Sequence, residues 1–214
     1  MDKILILLAG LPGTGKTYLS NMIKNKLGAF YVLSQDELKE YYCDVYGYNN
    51  LEEKQEVEKI AWAKYYEKME QQMQVGSNIM SDYPFSQKQK PRIQQLVERY
   101  DYKVVTIRLF ADLDVLFERQ KKRDLDTTRH LSHIVTSYKK GDHLADRSKA
   151  DNLLTYEEFI ERCTTRGYDT FELGKLYEVD ATDYKKVNYS RLLEDIRLLD
   201  ENNSVNVSTK QSTF

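Results

Sequence analysis

The sequence predicts an α/β fold, a doubly wound and mostly parallel sheet with helices on both faces. Two observations predict it. Short strand-like apolar runs alternate with segments of helical periodicity through most of the chain, the pattern of β-α-β units. The first run, Ile4 to Leu8, is continuously aliphatic instead of alternating, as a strand buried on both faces requires.

The elements follow in order. After Ile4–Leu8 comes a glycine-rich turn, then a helix over Lys16–Leu27 with Leu19, Met22, Ile23 and Leu27 on one stripe, stopped by Gly28. Phe30–Leu33 reads as a second strand and Asp36–Tyr42 as a short helix. The longest helix is Leu51–Val75, where Val57, Ala61, Tyr65 and Met69 recur at i+4 opposite a Glu/Lys/Gln face. Asn78–Asp82 is a third strand, Ile93–Tyr100 a helix, Val104–Leu109 a strand and Asp112–Lys122 a helix. A polar stretch precedes a helix near Tyr156–Thr164, a strand Leu176–Val179 and a helix Tyr189–Leu199. From residue 201 onward Asn, Ser, Thr and Gln dominate without an apolar period, so the tail 201–214 is expected to be disordered.

Length and composition narrow the class. At 214 residues the chain suits one domain over 1–200, since domains commonly run to about 100–200 residues. The formal net charge of −2 gives no global basic field for nucleic acid, although a local groove can still be basic. Cys43 and Cys163 are the two cysteines; far apart and outside any C-x-x-C pattern, they read as free thiols of a reducing compartment. The run Ile4–Ala9 is far short of the ~18 apolar residues of a membrane span, and it lacks the flanks of a signal peptide. A cytoplasmic protein is expected.

The turn after the first strand is Gly10-Leu11-Pro12-Gly13-Thr14-Gly15-Lys16-Thr17, the G-x-x-x-x-G-K-[ST] of a P-loop. Its glycines allow backbone that a Cβ would block, so successive N–H groups can wrap an anion. Lys16 would place a point charge on the β- and γ-phosphates, and Thr17 would ligate Mg²⁺. The helix that begins there adds the positive end of its dipole. The segment Gly10 to Tyr18 is therefore the expected ATP-binding stretch, with Mg²⁺ as the companion ion. A GTPase is excluded because Asn25-Lys26-Leu27-Gly28 lacks the aspartate of the guanine-reading Asn-Lys-x-Asp. Large hexameric ATPases are disfavoured, since the chain leaves no room for their helical lid domain.

Over about Ile4 to Thr182 the sequence resembles small P-loop kinases of the polynucleotide kinase, zeta-toxin and chloramphenicol phosphotransferase group. Four stretches carry the resemblance: the P-loop, Leu33-Ser34-Gln35-Asp36-Glu37-Leu38-Lys39, Ile79-Met80-Ser81-Asp82, and Arg119-Gln120-Lys121-Lys122-Arg123. It implies a P-loop NTPase fold of the nucleotide-kinase type with a helical lid, here around residues 119–146. It implies Asp36 as general base for an acceptor hydroxyl and Lys39 as a substrate contact. Lysine in place of that group's arginine gives up bidentate phosphate recognition, which counts against nucleic acid as the acceptor. Asp82 would hold Mg²⁺ or its waters, and Arg119 and Arg123 would close over the phosphates. Each has a plainer alternative: Asp36 as a helix N-cap, Asp82 as a solvated strand end, the arginines as a solvated helix face that suits the dipole.

Two further features stay open. His130 and His133 have i+3 spacing, but no neighbouring cysteine or carboxylate in the sequence completes a zinc set; with His143 they are assigned only to the lid region. Tyr41, Tyr42, Tyr46 and Tyr48 follow Asp36 closely, and could line an acceptor pocket or cover the core beneath a loop. The expected activity is transfer of the ATP γ-phosphoryl group to a hydroxyl of a small molecule, a nucleotide-sugar or a nucleic-acid 5′ end. The alternative is a non-catalytic, ATP-binding switch.

Overall fold

The computed structural model describes residues 3–28 and 30–198. Five strands form one sheet: β1 (Lys3–Gly10), β2 (Tyr31–Ser34), β3 (Ile79–Asp82), β4 (Tyr102–Phe110) and β5 (Lys175–Asp180), in the order β2-β3-β1-β4-β5. Every pairing is parallel. The helices are α1 (Lys16–Leu27), α2 (Gln35–Tyr46), α3 (Leu51–Gln74), α4 (Lys90–Tyr100), α5 (Leu113–Leu125), α6 (Tyr156–Thr165) and α7 (190–198). The expected order of elements is therefore observed, with a longer α2 and with the last helix described as far as Leu198. Leu199 and the tail 201–214, expected to be disordered, lie outside the described residues.

β1 shows why its apolar run does not alternate. Ile4, Ile6 and Leu8 face one core with Leu19 and Ile23 of α1 and Leu192, Leu193 and Ile196 of α7. Leu5, Leu7 and Ala9 face the other, with Tyr65, Met69 and Met73 of α3 and Ile93 and Leu96 of α4. Successive side chains point to opposite faces of a strand, so a strand covered on both sides has no position left for a polar residue.

One buried polar link crosses the layers. Ser81 Oγ donates to Leu33 O at 2.7 Å, which leaves the Tyr65 hydroxyl to donate to Ser81 at 2.8 Å. That chain fixes α3 against β3 and β2, and it satisfies groups that would otherwise be costly to bury. Among the described residues no helix is long and apolar enough to cross a membrane.

The sheet's carboxyl edge gathers Gly10, Ser34 and Asp82, because Leu8 pairs with Asp82 and Asp82 with Ser34. In open parallel sheets ligands bind outside this edge, where neighbouring connections run to opposite faces. Gly10 makes the turn there at φ +113°, and a Cβ on it would stand 1.9 Å from Leu109 O on β4. Gly10→Ala is therefore expected to destabilise the protein by more than about 1 kcal/mol, seen as a lower Tm. An unchanged Tm would mean that the strand-to-loop junction relaxes freely.

Candidate active site

The P-loop is a rigid cup. Gly13 and Gly15 have φ of 83° and 87°, a left-handed region open to glycine. Thr14 is buried, its hydroxyl donating to Leu11 O at 2.8 Å. Gly15 stands as the α1 N-cap without any side-chain cap, so the first N–H groups of α1 have no internal acceptor. Lys16 folds into the cup, with Nζ donating to Gly10 O at 3.0 Å and Leu11 O at 2.9 Å. Burial, followed by the nearby charge of Arg123, pulls the Lys16 ammonium down to about 8, against the pull of Asp36 and Asp82. The cup is cationic and short of anions.

Across the strand edge, Thr17 Oγ1 donates to Asp82 Oδ2 at 3.0 Å. Asp82 Oδ1 is buried with no hydrogen-bond partner. Burial raises the Asp82 carboxyl above its ordinary range, and the Thr17 bond opposes that rise. A hydroxyl and a half-satisfied carboxylate beside a phosphate cradle are the hard oxygen donors that suit Mg²⁺.

Asp36 stands on the first turn of α2, but it is not the cap. Ser34 is, accepting from Glu37 N at 3.4 Å. That removes the plainer alternative for Asp36 and leaves its carboxylate lining the same cleft as Lys16, Thr17 and Asp82. Lys39, one turn further along α2, also lines it and pairs with Glu58 of α3 at 3.1 Å.

The two arginines of α5 differ. Arg123 Nη2 donates to Gln120 Oε1 at 2.6 Å, while its Nε is buried without a partner. Arg119 is committed to the loop after β5: it donates to Ala181 O and Thr182 O, both at 2.8 Å, and its guanidinium lies 3.7 Å from the centre of the Tyr184 ring. The Tyr184 hydroxyl donates in turn to Gly13 O at 2.7 Å. Arg119 thus braces the P-loop through a loop distant in sequence.

The expected site residues therefore divide cleanly. Pro12, Gly13, Gly15, Lys16, Thr17, Asp36, Lys39, Asp82, Arg119 and Arg123 line one cleft of about 850 Å³, while Gly10, Leu11 and Thr14 form its backing. Tyr18, 64% exposed, lines with Tyr189 an adjoining cavity that shares Gly15 and Tyr184 with the cleft. Of the four tyrosines after Asp36, Tyr48 is buried with Cys43, Val57 and Tyr138, and none lines the cleft.

The histidines find carboxylates that lie far away in sequence. His133 Nε2 meets Glu40 Oε1 at 2.6 Å, and His130 Nε2 meets Asp44 Oδ1 at 3.2 Å. Burial pushes His133 down to about 3, so it is neutral and donates to Glu40. No group of three or more His, Cys, Asp or Glu among the described residues could hold a metal ion. These contacts bind the segment after α5 to α2, and Tyr48 and Tyr138 add a reciprocal backbone bridge, both bonds at 2.8 Å. Sequence reasoning missed Lys54, Arg129, Arg162 and Arg166, which also line the cleft. The i+4 spacing of Arg162 and Arg166 was its available signal.

Fold and cleft together define a P-loop nucleotide-binding protein with a second charged compartment beside the phosphate cradle. The chain belongs to the AAA domain family, whose model matches residues 5–139. That membership describes the domain and carries no oligomeric assembly with it. No curated protein matches the chain. Among solved structures, a candidate kinase from Chloroflexus aurantiacus is 21% identical, with 94% of this chain and 97% of that one covered and a TM-score of 0.72. A gluconokinase from Sinorhizobium meliloti 1021 is 11% identical, with coverage of 98% and 97% and a TM-score of 0.50. The tunicamycin resistance protein of Deinococcus radiodurans is 14% identical, with coverage of 92% and 94% and a TM-score of 0.50. The likeness to small P-loop kinases drawn from the sequence thus holds at the level of the fold.

Lys16 gives a test of the cradle. Phosphates bound against it would raise its pKa above the free value of about 8, so binding takes up protons once the free lysine has lost its own. ATP affinity is expected to fall as pH rises from 7.5 to 9.5, by up to about tenfold per unit above the free pKa. Calorimetric titration reads it, and Lys54→Met should keep the trend. A flat profile would place Lys16 away from the phosphates.

Proposed function

We propose that the protein is an ATP-dependent kinase that moves the γ-phosphoryl group of ATP to a hydroxyl of a second molecule bound in the same cleft. The observation that carries this reading is Asp36. Its carboxylate lines the cleft beside the P-loop, does not cap its helix, and has no hydrogen-bond or ion-pair partner among the described residues. A module that only binds nucleotide has no use for an uncommitted carboxylate there. The kinases among the fold relatives support the same reaction class.

The N–H groups from Gly13 to Thr17 and the Lys16 ammonium hold the phosphates. Thr17 and Asp82 would hold Mg²⁺, which when bound would neutralise charge on the phosphate oxygens. Asp36 takes the proton of the acceptor hydroxyl as its oxygen bonds to the γ-phosphorus. The bond from that phosphorus to the bridging oxygen breaks, and its electron pair leaves with ADP. Arg123, with Nε unpartnered beside Lys16, stabilises the charge on the group in transit. Arg119 holds the 181–184 loop to the P-loop and keeps the cup in shape. Lys39 reaches the acceptor side. The acceptor is a small hydroxyl compound, with a nucleic-acid 5′ end not favoured. The two buried free cysteines support a reducing compartment such as the cytoplasm.

Asp36→Asn keeps the size and removes the basicity. ATP binding and Tm should stay near wild type, while phosphotransfer falls by at least about a hundredfold. Full transfer by that variant would remove Asp36 from the chemistry and return the switch as the better account. Arg123→Ala should lower kcat by about a hundredfold or more with little change in ATP affinity. Equal small losses for Arg119→Ala and Arg123→Ala would reduce both to scaffold.

A further inference from the structure

The cleft at about 850 Å³ is near the top of the roughly 300–1,000 Å³ range of ligand pockets, and part of its wall comes from elements other than the cradle. Arg162 on α6 and Arg166 at its end stand one turn apart and both line the cleft. Lys54 of α3 lines it from the other side, with Nζ 3.3 Å from Val135 O.

The charges on this wall do not balance. Glu58 is paired with Lys39, and Glu40 accepts from His133. Glu158, a turn before Arg162, is held in the capping box with Thr155. Among the described residues neither Lys54 nor Arg162 has a carboxylate within ion-pair distance, and Arg166 meets only the Tyr168 hydroxyl, at 3.5 Å. Uncommitted carboxylates stand on the first turn of α2, at Asp36 and the exposed Glu37, and neither is within ion-pair distance of these cations. Lys54 is buried and Arg162 half-buried, while Arg166 is exposed at the cleft's rim; a buried cation without counter-charge is costly unless a ligand supplies it.

These cations are distinct from the cradle's. The charges that act most on Lys16 are Arg123, Asp36 and Asp82. Arg162 acts instead on Lys54, and Arg166 on Tyr83, which follows β3. Burial and the neighbouring Lys39 hold Lys54 down to about 8, against the pull of Glu58. Guanidinium forks one turn apart match the oxygens of a phosphate or carboxylate.

We propose that the acceptor is itself an anion, a hydroxyl compound bearing a phosphate ester or a carboxylate, held by Arg162 and Arg166 with Lys54 opposite while its hydroxyl meets Asp36. This deepens the kinase reading and rests on it.

The test separates binding from transfer. The full chain is saturated with Mg²⁺ and a non-hydrolysable ATP analogue, so that the cradle is filled. Calorimetry then compares matched pairs: ribose with ribose 5-phosphate, adenosine with its 5′-monophosphate, glucose with its aldonic acid, and inorganic phosphate alone. Anionic members should bind at least about tenfold more tightly than their neutral partners. The double variant Arg162→Gln/Arg166→Gln should lose at least about that factor without a change in analogue affinity. Preference between the phosphate and carboxylate members names the group. Equal binding of neutral and anionic members, wild-type binding by the double variant, or no anion binding at all overturns the proposal. Transfer is followed separately with γ-labelled ATP. An anion that binds through the arginines but gains no label would refute the kinase reading and leave the anion site standing.

Discussion

The parallel register of β1 with β3 decides where chemistry can stand in this protein. It pairs Leu8 with Asp82, so the β3 carboxylate sits level with the end of β1, where the chain turns at Gly10. The next residues enter α1, and Thr17 on its first turn reaches Asp82 at 3.0 Å. A slip of one residue would put Asp82 on the other face of the sheet. The Thr17–Asp82 hydrogen bond would then be lost. The cores on both faces, β1's even residues on one side and its odd residues on the other, hold that register in place.

Around this fixed point the cleft is electrostatically unfinished. Lys16 is held well below its ordinary range and Asp82 above its own, each chiefly by burial. Arg123 Nε and Asp82 Oδ1 have no partners, and Arg129 approaches Asp124 only at 3.7 Å. Unpartnered buried groups of both signs are what a folding domain removes and what a binding site keeps. A triphosphate with its cation would supply both missing charges, anion for Lys16 and Arg123 and cation for Asp82. The α6 wall presents Arg162 and Arg166 with no carboxylate within ion-pair distance, which is why the proposed acceptor is an anion. Two ligands in one cleft, one of them a phosphoryl donor, is the arrangement that phosphotransfer needs.

The parts of this site that are local in the chain were legible in the sequence. The β1–P-loop–α1 unit could be read because each residue's role depends on neighbours within a few positions. The strand-helix order could be read because apolar periodicity is itself local. What escaped depends on distant packing. Ser34, not Asp36, caps α2, a choice set by where β2 ends. His130 and His133 find their carboxylates on α2, about ninety residues earlier. Arg119, spaced as a partner of Arg123, spends its donors on the loop after β5. The α6 arginines have i+4 spacing on an expected helix, yet nothing local says which way that helix faces. Tyr18 follows the P-loop directly, yet it lines the adjoining cavity that shares Gly15 and Tyr184 with the cleft, a placement set by the packing of α1.

The central claim is that this cleft transfers phosphate and does not merely hold ATP. The most direct measurement is a metabolite extract incubated with the protein, Mg²⁺ and ATP carrying ¹⁸O on the γ-phosphoryl group, followed by mass spectrometry of every product. The account predicts that at least one hydroxyl compound gains the heavy phosphoryl group intact as ADP accumulates. Heavy oxygen found solely in released inorganic phosphate, or retained in ATP, would contradict it.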